Sequence, residues 1–142
     1  MIETIPVPGI DEYDSIYWEN CKKGNLSIQH CGNCDEPRFP PRHMCPKCQS
    51  ITHDWKIVSG QGILWSFVIP RSPLLPFFEK QSPYVVGLVE LNEYKGIRLI
   101  GQIINNSDSI SDQIKDINIG DKLSVNFKKI NNEISIPFWI KD

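Results

Sequence analysis

The chain has 142 residues and a mass of 16.3 kDa, which fits one domain of ordinary size or two very small ones. Forty per cent of the residues are apolar and 23 per cent are charged, and these fractions exclude wholesale disorder. The formal charge of -2 and the pI of about 5.9 argue against a partner that is bound by neutralising many phosphates.

Neither a membrane span nor a signal peptide is expected. The longest apolar runs, such as Phe67–Ile69, are far shorter than the roughly 20 residues that cross a bilayer. The opening segment, Met1–Gly9, has an acidic residue and prolines but no basic stretch followed by an apolar one. We therefore expect a reducing, cytoplasmic setting, in which paired cysteines more often bind metal than form disulfides.

Residues 1–29 predict an extended arm, a short helix and a lead-in strand. Asp11 is the expected N-cap of the helix, and Gly24 suits its C-terminal end. Aromatic and apolar residues recur along this helix at a spacing of four: Tyr13, Tyr17 and Cys21, with Trp18 beside them. One face of the helix is thus apolar, and Cys21 is interpreted as part of that face rather than as a nucleophile. A strand is expected at Asn25–Gln29.

Four of the five cysteines form two matched pairs and predict a zinc site. They are Cys31, Cys34, Cys45 and Cys48. A two-residue spacer lets both sulfurs of a knuckle reach one ion, and four thiolates complete a tetrahedral site with no open position. The zinc is therefore expected to be structural rather than catalytic, in a ribbon at residues 30–53. The alternative interpretations are free or redox-active thiols, or His43 in place of one cysteine.

The remaining residues, 54–142, predict an OB-type barrel, because five strands are expected with a helix between the third and the fourth. The predicted strands are Gly62–Ile69, Tyr84–Leu91, Ile97–Ile104, Lys122–Phe127 and Ile134–Ile140. In the last strand, alternation predicts a buried row of Ile134, Ile136, Phe138 and Ile140. The predicted fold class is therefore mainly β, with an N-terminal helix, a zinc ribbon and a five-stranded barrel.

The connection between the first two predicted barrel strands is unusually apolar. Within residues 71–83 it carries Leu74, Leu75, Phe77 and Phe78. A solvated loop rarely exposes so many apolar side chains, so this loop is expected to be covered by a partner or to fold back over its own barrel.

A set of short motifs, spread from the helix to the barrel, resembles a known family. In chain order they are Trp18–Glu19, Leu26, Gln29, Phe39–Arg42, Cys45–Cys48, Trp55, Val58–Gly62, Pro83–Val86 and Val89–Leu91. They resemble the small zinc-ribbon/OB-fold proteins associated with acyl-CoA metabolism, long catalogued as a domain of unknown function. The family usually has glycine after the second cysteine of each knuckle, where this chain has Asp35 and Gln49. A left-handed backbone is expected at both positions.

The resemblance implies an architecture and a role. The architecture is an N-terminal helix, a rubredoxin-like zinc ribbon and a C-terminal OB barrel. Family members are typically non-catalytic partners of thiolase-fold enzymes. In archaea they join acetoacetyl-CoA thiolase to hydroxymethylglutaryl-CoA synthase in the mevalonate route, and bacterial relatives pair with thiolases or aldolases that cleave aromatic or steroid acyl-CoA. The expected partners are thus a thiolase or an HMG-CoA synthase-like enzyme, and a CoA thioester.

This role suggests two groups of candidate side chains. The candidates for contacting CoA are Arg38, Arg42, Trp65, Phe67 and Tyr84. Guanidinium groups suit phosphates, and the aromatic rings could form a wall for an adenine or a pantetheine arm. Alternatively, the arginines bond ribbon carbonyls, and strand alternation favours burial of all three rings in the barrel core. The candidates for docking on a partner enzyme are Tyr17, Trp18, Leu74, Leu75, Phe77 and Phe78.

Two other functions fit the sequence less well. Zinc ribbons and OB barrels also bind single-stranded nucleic acids, but four thiolates and one Zn²⁺ would lower the formal charge to about -4. The small basic clusters Lys22–Lys23 and Lys128–Lys129 are typical of solvated faces. Catalysis by this chain alone is not expected, because no nucleophile–base pair, paired carboxylates or open metal site is visible in the sequence.

Overall fold

A computed structural model describes residues 4–105 and 110–142. The elements in chain order are α1 (Ser15–Lys22), β1 (Ser27–Cys31), β2 (Pro37–Arg38), β3 (His53–Ile57), β4 (Gln61–Val68), α2 (Pro76–Glu79), β5 (Val85–Leu91), β6 (Arg98–Ile104), α3 (Ile110–Lys115), β7 (Lys122–Lys129) and β8 (Ser135–Lys141). Among the described residues, no helix is long and apolar enough to cross a bilayer.

Helix α1 begins later than predicted and ends as predicted. Its first residue is Ser15, whereas Asp11 lies in a preceding turn, where its Oδ1 accepts the backbone N–H of Asp14 at 3.0 Å. Gly24 follows the helix with a φ of 79° and donates its N–H to the Cys21 carbonyl at 3.0 Å. A left-handed residue at this position is typical of a helix end closed by a Schellman motif, and glycine adopts it without a steric penalty.

Three antiparallel strands form the first sheet, in the order β2-β1-β3. All five residues of the central strand β1 are buried, because α1 covers one side of it and the two neighbouring strands flank it. Strand β3 was not among the predicted strands, and the predicted division of the chain between residues 53 and 54 falls within it. The lead-in strand lies two residues later than predicted.

The second sheet closes into a five-stranded barrel in the order β4-β5-β6-β8-β7, with β7 paired back to β4. All neighbouring strands are antiparallel except β6 and β8, which are parallel. The five strands lie within two residues of their predicted bounds, and α3 connects β6 to β7. The predicted OB-type barrel is confirmed.

Of the predicted buried row of the last strand, Ile134 is buried just before β8, as predicted, but the row is wrong within β8 itself. Trp139 is the large buried side chain of this strand, with 1% of its surface exposed, and it pairs with Val125 across the ladder to β7. Its indole occupies space that Gly101 leaves open, because a Cβ at Gly101 would lie 2.8 Å from Trp139 Cδ1. Ile136 and Phe138 face the opposite side, where they line a groove beside α1. The face of β8 that carries Trp139 also carries Ser135 and Lys141, so alternation favours the opposite face and could not identify the inner one.

The helix, the first sheet and the barrel share one hydrophobic core. Its members include Tyr17 and Cys21 of α1, Ile28 of β1, and Leu64 and Trp139 of the barrel. The connection from the first sheet to the barrel is tied to both, because Val58 donates its N–H to the Leu26 carbonyl and Gly60 accepts the N–H of Val125. Gly60 has a φ of 75°, and a Cβ there would lie 2.4 Å from Val125 Cγ1.

Candidate metal centre and apolar groove

The four predicted ligands converge between β1 and the loops that follow it. The sulfurs of Cys31, Cys34, Cys45 and Cys48 all lie within 4.8 Å of one another. The Cys31 and Cys48 sulfurs are 3.5 Å apart, and those of Cys34 and Cys45 are 3.7 Å apart. Zinc–sulfur bonds of about 2.3 Å in a tetrahedron require sulfurs about 3.8 Å apart, so the four cysteines fit one zinc ion. His43 is exposed and packs edge-on against Tyr13, outside this group.

Backbone amides stabilise the thiolate form of the first cysteine in each knuckle. The N–H groups of Cys34 and Asn33 point at Cys31 Sγ, at 3.5 and 3.4 Å. These two N–H groups lower the pKa of the Cys31 thiol to about 6. In the second knuckle, the backbone N–H of Cys48 is the largest cause of a lowered pKa at Cys45. Metal ligation requires deprotonated sulfur, so the knuckle backbone favours the ligating form.

The two knuckles close through left-handed residues, as expected. Asp35 and Gln49 have φ values of 58° and 63°, and they are the two non-glycine residues with positive φ in the described part of the chain. Their N–H groups return to the carbonyls of Cys31 and Cys45, at 3.0 and 2.9 Å. Asp35 also accepts a hydrogen bond from Lys56 at 2.7 Å, which ties the first knuckle to β3.

The ribbon arginines lie in different environments. Arg38 is 5% exposed; its Nε donates to Gln29 Oε1 at 2.6 Å, and its Nη2 donates to the Arg42 carbonyl at 3.1 Å. The same Gln29 oxygen accepts the Arg42 N–H at 2.8 Å. Arg38 thus bonds a ribbon carbonyl, as the alternative interpretation predicts. The Arg42 side chain is exposed, and contact of either residue with CoA stays a prediction.

An apolar groove of about 520 Å³ lies between α1, the loop that carries α2 and the outer face of the barrel. It brings together five predicted residues: Tyr17, Trp18, Phe77, Phe78 and Tyr84. The ring of Phe78 stacks on that of Tyr84 with their centroids 6.0 Å apart, and meets Phe77 edge-on at 5.2 Å. Leu74 and Leu75 belong to the same loop but do not line the groove, and Leu75 is 60% exposed.

Trp65 and Phe67 lie on opposite sides of β4 because a β-bulge separates them. The pairing with β5 shifts between Leu64 and Ser66, so Trp65 is the extra residue and points outward. Trp65 is 49% exposed, which makes its predicted burial wrong, whereas Phe67 packs against the core. The Arg98 guanidinium lies 3.9 Å from the Trp65 ring centroid, in a contact between two strands that no sequence pattern indicates.

Cys21 is separate from the metal centre and is fully buried. Burial raises the pKa of its thiol to about 11, although a hydrogen bond with Tyr17 partly opposes this effect. Burial likewise raises the pKa of the Tyr17 hydroxyl well above its usual value. The Cys21 side chain therefore stays a neutral thiol at physiological pH and packs as an apolar residue of α1.

The raised pKa of Cys21 predicts a loss of stability at alkaline pH. The unfolded thiol ionises near pH 9 and the folded one near pH 11, so the folded state holds more protons in this window and its free energy of unfolding falls as pH rises. Urea unfolding of the zinc-loaded protein should show this slope between pH 9 and 11. It should be shallower in Cys21→Ala, and an unchanged slope in that variant would contradict the assignment.

The architecture and the metal centre define a class of protein: a rubredoxin-like zinc ribbon followed by an OB barrel. Residues 18–52 match the family model described as the ChsH2 rubredoxin-like zinc ribbon domain, and residues 55–128 match the ChsH2 C-terminal OB-fold domain. The chain therefore belongs to the ChsH2 (DUF35) family, and the resemblance seen in the sequence is confirmed. Together with the four-sulfur geometry, this family membership assigns the four cysteines to a structural zinc site.

Three relatives illustrate the family. A probable enoyl-CoA hydratase alpha subunit from Thermomonospora curvata is 32% identical over 94% of this chain, which spans only 39% of that protein. A DUF35 domain-containing scaffold protein from Methanocaldococcus jannaschii is 34% identical over 82% of this chain and 77% of its own length. A solved chain of the Ltp2-ChsH2(DUF35) aldolase is 30% identical, with a TM-score of 0.80 over 95% of this chain and 98% of that one.

Proposed function

We propose that this protein is a non-catalytic accessory subunit that docks on a thiolase-fold enzyme and contributes to acyl-CoA binding. The observation that carries the proposal is the apolar groove beside α1, which combines aromatic side chains from the helix, the loop of α2 and the barrel. Aromatic residues in a concave apolar surface are typical of the centre of a protein–protein interface. An acetoacetyl-CoA thiolase or an HMG-CoA synthase-like enzyme is the proposed partner.

The names of the relatives support an accessory role of this kind. The methanogen relative is named a scaffold protein, and the solved relative is part of an aldolase whose name joins two components. The first relative is named a hydratase subunit rather than a complete hydratase. Aldolase and hydratase are therefore further candidate classes of partner enzyme.

The proposed mechanism is positional. The four thiolates hold the two knuckles at fixed positions, and α1 connects the ribbon to the barrel through one shared core. A stiff subunit of this kind could hold two enzymes close together, which raises the effective concentration of an intermediate passed between them. We propose a cytoplasmic setting, since a reducing compartment keeps the four cysteines available as thiolates.

Of the five candidates for contacting CoA, Arg38 is buried and Phe67 is half-buried in β4, and the other three are accessible. Tyr84 lines the groove, Trp65 is half exposed beneath Arg98, and Arg42 is exposed on the ribbon. They lie in three different parts of the molecule. We propose that Tyr84 contacts the pantetheine arm of the thioester, because it shares an apolar groove with the docking residues.

Docking through the groove predicts that truncation of its aromatic residues will release the partner enzyme. In co-expression with the thiolase or synthase of the same genome, the Phe77→Ala/Phe78→Ala variant should lower the co-purified enzyme by about tenfold or more. The reason is that each aromatic residue at the centre of an interface contributes about 2 kcal/mol or more. The measurement is the amount of enzyme retained on tagged accessory subunit, quantified by mass spectrometry.

The matched control is Ile57→Ala, which removes a side chain that is 63% exposed on the ribbon, away from the groove. It should retain the enzyme, and both variants should keep one zinc per chain. Full retention by the groove variant, or a wild-type chain that stays monomeric and never co-elutes with a thiolase or synthase, would contradict the proposal. If the wild-type chain instead captured a hydratase or an aldolase, and the groove variant did not, the groove would still be the docking surface and the class of partner would be corrected.

A further inference from the structure

A second concave surface lies on the other side of α1, between the C-terminal end of that helix and the barrel. It is a crevice of about 650 Å³ whose walls come from the end of α1, the connection before β4, and strand β7. The apolar groove and this crevice are separate, because Tyr17 and Trp18 line the first and Lys22 and Lys23 line the second.

Three lysines that are distant in sequence line this crevice. Lys22 and Lys23 end α1, and Lys129 ends β7, so the fold brings together members of two basic clusters that are about 100 residues apart. All three are exposed. Lys23 forms an ion pair with Glu19 at 2.6 Å, and Lys23 and then Lys22 lower the pKa of that carboxyl. In the described part of the chain, neither Lys22 nor Lys129 forms an ion pair with a carboxylate.

The crevice is locally basic in a chain that is acidic overall. None of the fourteen described residues that line it is an aspartate or a glutamate, although the chain has 17 acidic and 15 basic residues. Nearby, the Glu93 carboxylate already accepts the backbone N–H of Ser59 at 2.6 Å. Like charges that share one concave space repel each other, and a bound anion would relieve that repulsion.

Neutral donors complete the lining. Asn25 and Asn126 both line the crevice, and the Asn126 Oδ1 accepts the Phe127 N–H at 2.7 Å, so the Nδ2 group of Asn126 is the part of that amide that can donate to a ligand. Ammonium groups and amide N–H groups in a concave surface are the donor set that binds phosphate oxygens. Phe127 is the one aromatic residue among the described residues that line the crevice, whereas sites for single-stranded nucleic acids stack successive bases on several aromatic side chains.

We propose that this crevice binds the phosphate groups of a small phosphorylated ligand, with Lys22 and Lys129 as its main charged contacts. If the function proposed above is right, that ligand is the nucleotide end of the CoA thioester; this choice of ligand rests on the proposed function. The proposal that the crevice binds phosphate groups does not rest on that function. A free phosphate compound is the other ligand that offers the same phosphate groups.

The test uses the full zinc-loaded chain at low ionic strength, where exposed charges are least screened. Pyrophosphate, 3′,5′-ADP and CoA are titrated separately, with calorimetry and with the backbone amide NMR shifts of the labelled protein as readouts. Binding should shift the amides of Lys22, Asn126 and Lys129. The variant Lys22→Glu/Lys129→Glu should weaken binding by about tenfold or more, because it replaces two charge-assisted contacts with repulsion.

The control variant Lys95→Glu/Lys122→Glu makes the same change in net charge at two exposed lysines outside the crevice. It should change affinity by no more than about twofold. Equal weakening by both variants, shifts at other amides, or no binding of any probe would overturn the proposal. CoA and 3′,5′-ADP binding more tightly than pyrophosphate identifies a nucleotide source, and the reverse order identifies a free phosphate.

Two further results separate this inference from the docking proposal and from nucleic acid binding. The crevice variant should still co-purify with the partner enzyme. If docking through the groove is contradicted, phosphate binding in the crevice can still be confirmed, and if phosphate binding is contradicted, docking can still be confirmed. A single-stranded oligonucleotide that displaces 3′,5′-ADP at lower concentration than CoA does would overturn the assignment of a small ligand.

Discussion

Replacement of Cys45 by serine is expected to release the zinc and unfold the ribbon. Four thiolates close the site, and the apparent free energy of binding a structural zinc is about 10–16 kcal/mol, which contributes directly to folding. Cys45 is fully buried, so its loss leaves the second knuckle without its inner ligand. The zinc content measured by elemental analysis should fall from one ion per chain towards none, and the melting temperature should drop by about 10 °C or more.

The effect should extend to partner binding, because β1 carries Cys31 at its end and lies in the shared core with α1. Co-purification of the partner enzyme should therefore be lost in Cys45→Ser. The matched control is Cys21→Ser, which also removes a fully buried thiol but leaves all four ligands in place. It should keep one zinc and the partner. A zinc-free Cys45→Ser protein that still bound the enzyme would contradict the coupling.

Replacement of Trp139 by alanine is expected to be the most damaging change within the barrel. Trp139 is the largest of the fully buried side chains, and truncation of a buried tryptophan typically costs about 3–5 kcal/mol. The loss should be large because Gly101, which makes room for the indole, has no side chain to fill the cavity. Urea unfolding of the zinc-loaded chain measures the change, and the slope of the transition should stay the same.

Phe138→Ala supplies the comparison, because Phe138 directly precedes Trp139 and lines the apolar groove, where it is half-buried. It should cost clearly less than Trp139→Ala. The reverse order of the two losses would support the row that the sequence predicted and would contradict the register of β8.

The zinc site and the positions of the five barrel strands along the chain could be predicted because they depend on local patterns. Two cysteine pairs with the same short spacer specify a knuckle geometry, and the barrel strands are bounded by turn residues such as Gly120, whose φ of 96° ends the connection before β7. Strand β3 was missed for the opposite reason. His53–Ile57 has no clear alternation, and its pairing with β1 across the metal loops fixes it as a strand.

Other features could not be predicted, since they depend on contacts between distant segments. The outward position of Trp65 results from one extra residue in β4, and a bulge of one residue has no sequence signal at this site. Arg38 is buried because Gln29, on the neighbouring strand, accepts its Nε–H. The apolar groove combines residues of α1 with residues some sixty positions later, and only the folded chain shows that Tyr84 belongs with Tyr17.

The short connection Val58–Gly60 has a consequence for any assembly that contains this protein. Val58 at one end is hydrogen-bonded to Leu26, just before β1, and Gly60 at the other end to Val125 of β7, while the Glu93 carboxylate accepts the Ser59 N–H. These hydrogen bonds oppose bending of the connection, so the ribbon and the barrel are expected to keep one relative orientation. Two proteins that bind the ribbon and the barrel would therefore be held at a fixed distance and orientation. If one of them rotated, the other would rotate with it, because the connection does not act as a hinge.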